Sequence, residues 1–202
     1  MTNGSLVGSK VLDRFEPGIR IAIQIAAIFI GAAILAISAK VQVPFWPVPM
    51  TLQTFVLFAI SAAYGMRLAV ATVLAYFAEG LVGLPVFAGA AAGPAYFAGP
   101  TAGFLAGFLA VAVIVGAAAD RGWSRSAFRL FGAMLAADII LFALGFLWLG
   151  FMFISPRSGA TLGAATAFAA GVQPFVLADL VKITLAACLV PALWRLSPSD
   201  KG

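Results

Sequence analysis

The chain has 202 residues, of which 63% are hydrophobic and only 9% are charged, whereas a soluble domain typically carries about 25% charged residues. So few charges cannot cover a water-facing surface, and the chain is therefore expected to lie in a membrane. The net charge is +5 and histidine is absent, which removes the commonest general base and the usual zinc ligand. We expect no catalysis and no cofactor, and the basic residues, which form no basic face, argue against nucleic-acid binding.

Six apolar runs approach the length of about 20 residues that a membrane-spanning helix needs, although the second run is short. They cover residues 19–39, 51–64, 67–84, 101–119, 130–154 and 172–194. The first run is longer than the apolar core of roughly 7–15 residues in a signal peptide, so we interpret it as a retained helix. The pattern predicts an all-α fold, a bundle of six transmembrane helices in a single domain (residues 1–202). Residues 1–18 and 196–202 are predicted to be cytoplasmic.

The basic residues predict the orientation of this bundle. With six spans and the N-terminus inside, nine of the twelve Lys and Arg residues fall in cytoplasmic segments, two fall outside and Lys182 lies within a span. An excess of positive charge on the cytoplasmic side is typical of multi-pass proteins. We therefore predict a multi-pass protein of the bacterial cytoplasmic (inner) membrane, surrounded by lipid, with both termini in the cytoplasm. The nine residues are Lys10, Arg14, Arg20, Arg67, Arg121, Arg125, Arg129, Arg195 and Lys201.

Two of the predicted outer loops have unusual compositions. Residues 40–50 (KVQVPFWPVPM) contain three prolines, and residues 85–100 (PVFAGAAAGPAYFAGP) carry no charge. Proline disfavours a helix, and irregular apolar backbone near a membrane must be buried in protein or line a cavity. Both loops are therefore predicted to fold over the helix bundle from outside. A third outer segment, residues 155–171, could contain a short helix within residues 160–170.

Asp179 and Lys182 are the strongest local signal of a site. They lie three residues apart in the last predicted span, so they share one face of a helix. Each charge near the centre of a bilayer costs about 2.5–3.5 kcal/mol on insertion scales, so the two must pair with each other or meet a polar ligand. A ligand site beneath the outer loops and a structural ion pair between helices both remain open at this point.

Glu79 and Asp138 are two further acids within predicted spans. Either could contact a ligand, pair with Lys182 or lie near a helix end in interfacial water, and a proton relay is also open. The loops add aromatic side chains that either cover an apolar ligand or form the aromatic belt that is common at membrane interfaces. The aromatic candidates are Phe45, Trp46, Phe87, Tyr96 and Phe97, and the polar candidates at the same end are Gln42, Thr51, Gln53 and Thr54.

Small residues recur four apart in the first run, as at Ala22 and Ala26 or at Ala27 and Gly31. This spacing allows another helix to approach closely. It also arises by chance in a chain so rich in alanine, and the pattern alone does not choose between these explanations.

Four segments of this sequence resemble the BioY family, the biotin-specific S components of energy-coupling-factor (ECF) transporters. They occur in the order that the family has, and together they extend over most of the chain. The segments are VPFWPVPMTLQT (43–54), AEGLVGLPVFAG (78–89), GPAYFAGPTAGF (93–104) and GVQPFVLADLVK (171–182). The chain departs from the family at residues 90–92, where three alanines replace an extra glycine or a polar residue, so backbone amides would have to serve there.

This resemblance implies a six-helix subunit that binds biotin at the outer face with high affinity. It implies partners, namely a transmembrane coupling protein and two ATPases that drive release into the cytoplasm. It also implies that Asp179 and Lys182 contact the biotin head group, and that Ala22 and Ala26 contact the coupling protein. The predicted substrate-binding residues are Asp179, Lys182, Glu79, Trp46, Gln53, Tyr96 and Phe97.

The chemistry of biotin fits this assignment independently of the resemblance. Its ureido ring has two N–H donors and one carbonyl acceptor, which match a carboxylate and an ammonium group. Three alternatives stay open: an S component for another vitamin, a stand-alone ion-coupled vitamin transporter that uses the intramembrane acids, and a membrane enzyme.

Overall fold

The computed structural model describes residues 16–89 and 92–196, and it confirms the predicted all-α class. The described residues form seven α-helices and one two-stranded sheet, in which β1 (Gln42–Val43) and β2 (Met50–Thr51) pair antiparallel. The cytoplasmic positions predicted for Lys10, Arg14 and Lys201 lie outside the described residues. The helices are α1 (Pro17–Lys40), α2 (Gln53–Tyr64), α3 (Met66–Leu81), α4 (Ala102–Asp120), α5 (Ala127–Leu147), α6 (Gly163–Gly171) and α7 (Val176–Leu196).

Four of these helical segments are long and apolar enough to cross a membrane: Pro17–Lys40, Ala102–Asp120, Ala127–Met152 and Val176–Arg195. The third of these is α5 continued by a π-helical turn (Trp148–Met152). The predicted count of six spans is not confirmed, because α2 has 12 residues and α3 has 16. The chain turns between them at Gly65, whose φ of 77° suits glycine. The short outer helix expected within residues 160–170 is present as α6.

Helix α4 lies at the centre and packs against α2, α3 and α5. Its glycines explain how closely the neighbours approach. A Cβ atom at Gly107 would lie 2.9 Å from the Cα atom of Leu141 on α5, and one at Gly116 would lie 2.5 Å from the Cα atom of Met66 on α3. Both contacts are too short for any side chain, so glycine at these positions sets the helix spacing.

The outward faces of α1, α5 and α7 are covered by large apolar side chains. Ile37, Ile139 and Leu177 are each more than half exposed. Apolar surface on this scale is unfavourable in water and matches the hydrocarbon of a bilayer. The exposed faces therefore support a multi-pass membrane protein.

Helix α1 uses one small-residue pair inside the bundle and leaves another outside. Gly31 is buried against Thr72 and Tyr64, and the Tyr64 hydroxyl donates to the Ala27 carbonyl oxygen at 3.1 Å. Ala22 and Ala26 lie on the exposed side of the helix. The Ala27–Gly31 pair thus serves the internal packing, and the predicted partner contact at Ala22 and Ala26 stays a prediction.

Candidate ligand-binding cleft

Two loops close one end of the bundle, as predicted from their composition, and the sequence analysis predicts that this end is the outer one. We call residues 41–52 the first outer loop and residues 82–101 the second outer loop. The Lys40 ammonium group at the end of α1 donates to the carbonyl oxygens of Phe87 and Gly89 in the second loop, both at 2.7 Å. Val48 of the first loop and Phe87 of the second are buried in the core. Both loops are therefore packed onto the helices.

An aromatic cluster fixes the second outer loop on α3. The rings of Phe87 and Tyr96 stack with centroids 4.3 Å apart, and Phe97 meets Phe77 edge to face at 5.6 Å. Tyr76 of α3 contacts Phe87 edge to face at 5.3 Å. Aromatic pairs of this kind add about 0.5–1.5 kcal/mol each beyond their buried area. Phe97 thus has a packing role in this structure.

A cleft lies beneath the two loops, between α2, α4, α5 and α7, and encloses about 550 Å³ of space, part of which opens to solvent. Ligand pockets typically combine apolar walls with a few polar groups, and this cleft has both. The polar lining consists of Thr51, Gln53, Thr54, Tyr96, Thr101, Asp179 and Lys182. The apolar lining includes Phe104, Leu105, Phe108, Leu141, Phe142 and Phe175.

Asp179 and Lys182 form an ion pair inside this cleft. The Lys182 Nζ atom lies 2.6 Å from Asp179 Oδ1, and the two side chains are only 13% and 3% exposed, respectively. Their spacing along α7 places them on one face of the helix, which is the face directed toward α2 and α5. The sequence prediction that the two share a helix face beneath the outer loops is confirmed by this geometry.

Thr51 of β2 and Thr54 of α2 complete the hydrogen bonding of the pair. The Lys182 ammonium group also donates to the Thr51 carbonyl oxygen at 2.7 Å and to the Thr54 hydroxyl at 3.0 Å. The Thr54 hydroxyl donates in turn to Asp179 Oδ1 at 3.2 Å. All three donors of the ammonium group are thus used, while both Lys182 and Thr54 contact Asp179 through Oδ1. A carboxylate accepts about four hydrogen bonds, so the pair retains acceptor capacity for a ligand.

Gln53 and Tyr96 provide further polar atoms at the wall of the cleft. The Gln53 amide donates to the Tyr76 hydroxyl at 2.8 Å, and that hydroxyl donates to the Val86 carbonyl oxygen at 3.3 Å. Burial raises the pKa of the Tyr96 hydroxyl above its usual value, so this group stays protonated near neutral pH. Gln53 is thereby held in place by α3, and Tyr96 keeps an O–H donor at the cleft.

Three of the predicted site residues are not among those that line the cleft. Trp46 is 56% exposed in the first outer loop, where the Arg157 guanidinium carbon lies 4.6 Å from its ring centroid. Glu79 is partly exposed on α3, and Phe97 belongs to the aromatic cluster. Predictions that these three contact a ligand stay predictions.

The sequence interpretation missed the apolar wall of the cleft, formed by Phe104, Phe142 and Phe175. Their rings follow one another with centroids 6.5 Å apart at each step. In helices that are apolar on all sides, no residue pattern separates a phenylalanine facing a cleft from one facing lipid. Within the described ranges, no three Cys, Asp or Glu side chains are placed to hold a metal ion.

A family model and individual relatives both show that the chain is similar to BioY proteins. The BioY family model matches residues 10–199. The chain is 32% identical to the biotin transporter BioY of Thermotoga maritima, over 83% of this chain and 93% of that protein. It is 35% identical to the biotin transporter BioY of Rhodobacter capsulatus, over 84% and 91% of the two chains.

A solved structure shares the fold of this chain. It is the crystal structure of the S component for biotin from an ECF-type ABC transporter. The TM-score is 0.74 with 23% sequence identity, and the match covers 90% of this chain and 95% of the other. The arrangement of helices described above is thus one that is known from experiment.

Proposed function

The chain belongs to the BioY family, and from this premise we propose that it captures biotin at the outer face of the membrane as the substrate-binding subunit of an ECF transporter. Relatives at 32% and 35% identity over most of the chain are biotin transporters. The protein is accordingly a transport component and not an enzyme.

The observation that carries this proposal is the buried Asp179–Lys182 pair in a cleft with apolar walls. The ureido group of biotin has two N–H donors and one carbonyl acceptor. Asp179 accepts from an N–H group, and the Lys182 ammonium group exchanges one of its protein acceptors for the ureido carbonyl oxygen. Hydrogen bonds to charged groups in a site shielded from water are the strong ones. The ligand thereby offsets the cost of burying both charges.

The apolar parts of biotin suit the apolar walls of the cleft. Its thiophane ring and valeryl chain are apolar, and Phe104, Phe142 and Phe175 present apolar surface beside the ion pair. We assign Gln53 and Tyr96 as the next contacts because both line the cleft. We also propose Glu79, Trp46 and Phe97 as ligand contacts, although none of the three lines the cleft in this structure.

The orientation and the partners are part of the same proposal. We place six helices across the membrane with both termini in the cytoplasm, and α6 as a short helix at the outer surface. The membrane is the bacterial cytoplasmic membrane. The exposed Ala22–Ala26 face of α1 contacts a transmembrane coupling protein, which joins ATPase subunits. ATP hydrolysis in these partners drives reorientation and release.

A second candidate, a stand-alone ion-coupled biotin transporter, is favoured by one observation. Asp138 is a second acid buried close to Asp179 and Lys182, and buried acids in membranes occur in proton pathways. Biotin uptake that an uncoupler abolishes while the ATP concentration is held constant would support this candidate over the ECF assignment.

The test of the proposal is titration of biotin into the purified chain in detergent, beside Asp179→Asn and Lys182→Ala. We expect tight binding by the wild type and a loss of at least about 100-fold in both variants, because charge-assisted hydrogen bonds contribute about 1.5–3 kcal/mol each. Thr184→Ala is the matched control, since Thr184 is an exposed polar residue of α7 outside the cleft lining. Absence of biotin binding by a folded wild type contradicts the proposal.

A further inference from the structure

A second carboxyl group, which is not among the cleft-lining residues, lies close to the ion pair. Asp138 of α5 is 5% exposed, and its carboxyl group is within hydrogen-bonding reach of the Asp179 carboxyl group and close to Lys182. Leu141 and Phe142, one turn further along α5, line the cleft, whereas Asp138 does not. Asp138 therefore contacts the pair without forming part of the visible ligand surface.

The charges around this contact do not balance if both acids are ionised. Lys182 is the one cation that faces the two carboxyl groups among the described residues. Of the elements packed against α5, α4 has Asp120 at its cytoplasmic end as its only charged residue, and α6 and the turn Trp148–Met152 have none. The 3₁₀ turn Trp123–Arg125 carries its arginine at the cytoplasmic end.

The two acids differ in their hydrogen-bond partners. Two carboxyl groups in contact away from water cannot both ionise and therefore share a proton. The Lys182 ammonium group at 2.6 Å and the Thr54 hydroxyl both donate to Asp179 Oδ1, so the cation and the hydroxyl contact this acid and not Asp138. Asp138 Oδ1 has no hydrogen-bond partner, which suits the carbonyl oxygen of a neutral acid better than the oxygen of a buried carboxylate.

We propose that Asp138 is a positioning residue that carries this proton and donates it to Asp179 in a hydrogen bond. This inference rests on the proposed function, because it assigns Asp179 to the ligand. The hydrogen bond from Asp138 holds the Asp179 carboxylate in orientation while its remaining acceptor sites stay available for an N–H group. A neutral Asp138, the Asp179 carboxylate and the Lys182 ammonium group together then have no net charge. Loss of the proton at alkaline pH places a second carboxylate beside Lys182, which competes with the ligand for the ammonium group.

The experiment compares the wild type with Asp138→Asn and Asp138→Leu, and uses Asp120→Asn as the control acid. Infrared spectra of the ligand-free protein are expected to show the C=O stretch of a protonated carboxyl group in the wild type and in Asp120→Asn, and not in either Asp138 variant. Biotin affinity of the wild type is expected to fall about tenfold from neutral to alkaline pH. Asparagine still donates to Asp179 but does not ionise, so Asp138→Asn is expected to lose this pH dependence and to keep neutral-pH affinity.

Two results would overturn the proposal. One is a protonated-carboxyl band of unchanged intensity in Asp138→Asn, and the other is the same alkaline loss of biotin affinity in that variant as in the wild type. Asp138→Leu is expected to bind biotin about tenfold more weakly than the wild type at every pH. If this variant does not fold, the comparison of Asp138→Asn with the wild type is sufficient to test the proposal. If the wild type binds no biotin, the proposed function fails, while the infrared band still decides whether Asp138 holds the proton.

Discussion

At the scale of single residues, Thr54 connects the two charges of the cleft. Its hydroxyl accepts from Lys182 at 3.0 Å and donates to Asp179 at 3.2 Å. One hydroxyl thereby fixes the relative position of an acid and a base that the spacing along α7 alone would leave free to rotate. The helix that supplies it, α2, begins beside the hairpin of the first outer loop, so loop and charges are held by the same element.

Replacement of Thr54 by valine tests this role, because valine keeps the shape of threonine and removes the hydroxyl. We expect the Kd for biotin to rise about tenfold, which corresponds to about 1.4 kcal/mol. Isothermal titration in detergent measures the change. Thr184→Val, on the exposed side of α7, makes the same chemical substitution outside the cleft and should leave the Kd unchanged. Equal affinities for the Thr54 variant and the wild type would show that the hydroxyl has no role in the site.

The residues of the site differ in how well the sequence alone could locate them. Two charges three apart in an apolar run share a helix face for geometric reasons, so the Asp179–Lys182 pair was predictable. The closeness of Asp138 to Asp179 depends on the packing of α5 against α7, and no local spacing contains that information. Glu79 is an acid in an apolar run just as Asp138 is, yet α3 places it outside the cleft lining.

At the scale of elements, the Lys40 side chain attaches the second outer loop to α1. The Lys40 ammonium group holds the carbonyl oxygens of Phe87 and Gly89, and Ala88 between them lines the cleft. These two hydrogen bonds therefore hold the part of the loop that borders the cleft. Proline and glycine content predicted that the loops are irregular and buried, whereas this attachment joins residues 47 and 49 positions apart and was not predictable.

Lys40→Met should loosen this attachment, because methionine retains an apolar stem and lacks the three N–H donors. We expect biotin to dissociate several-fold faster, with little change in the association rate, as measured by stopped-flow or radioligand exchange. Lys40→Arg keeps a donor group and should be closer to the wild type. A dissociation rate that is the same in Lys40→Met and the wild type would show that the loop attachment does not retain the ligand.

Helix boundaries were predicted to within a few residues where glycine or proline interrupts an apolar run. The fifth run, residues 130–154, covers most of α5 and the turn Trp148–Met152, but α5 begins three residues earlier, at Ala127. The sixth run was predicted to begin at residue 172, but α7 begins at Val176 because residues 172–175 form a turn after α6. An apolar composition continues through that turn, so hydropathy could not mark it.

At the scale of the whole molecule, the distribution of charge and the exposed apolar faces support one orientation in the membrane. Basic residues concentrate at one end of the bundle, and the cleft opens at the other. In the proposed orientation, the cleft opens toward the outside of the cell. The orientation itself is part of the proposed function and is open to a direct test.

Single cysteines provide that test after the native cysteine is removed by Cys188→Ala. Ser158→Cys, between the turn Trp148–Met152 and α6, is expected to react with a membrane-impermeant maleimide in intact cells. Ser126→Cys, between α4 and α5, is expected to react only after the cells are opened, since even numbers of spans separate it from both cytoplasmic termini. The reverse labelling pattern would contradict the proposed orientation.

The central claim is that Asp179 accepts a hydrogen bond from the ureido ring of biotin, and a thermodynamic cycle tests it most directly. Affinities of the wild type and Asp179→Asn are measured for biotin and for two analogues, each methylated on one ureido nitrogen. We predict that, for one analogue, methylation weakens binding to the wild type about tenfold more than binding to the variant, a coupling of about 1.4 kcal/mol. Methylation penalties that are equal in the two proteins for both analogues would show that Asp179 does not contact the ureido ring.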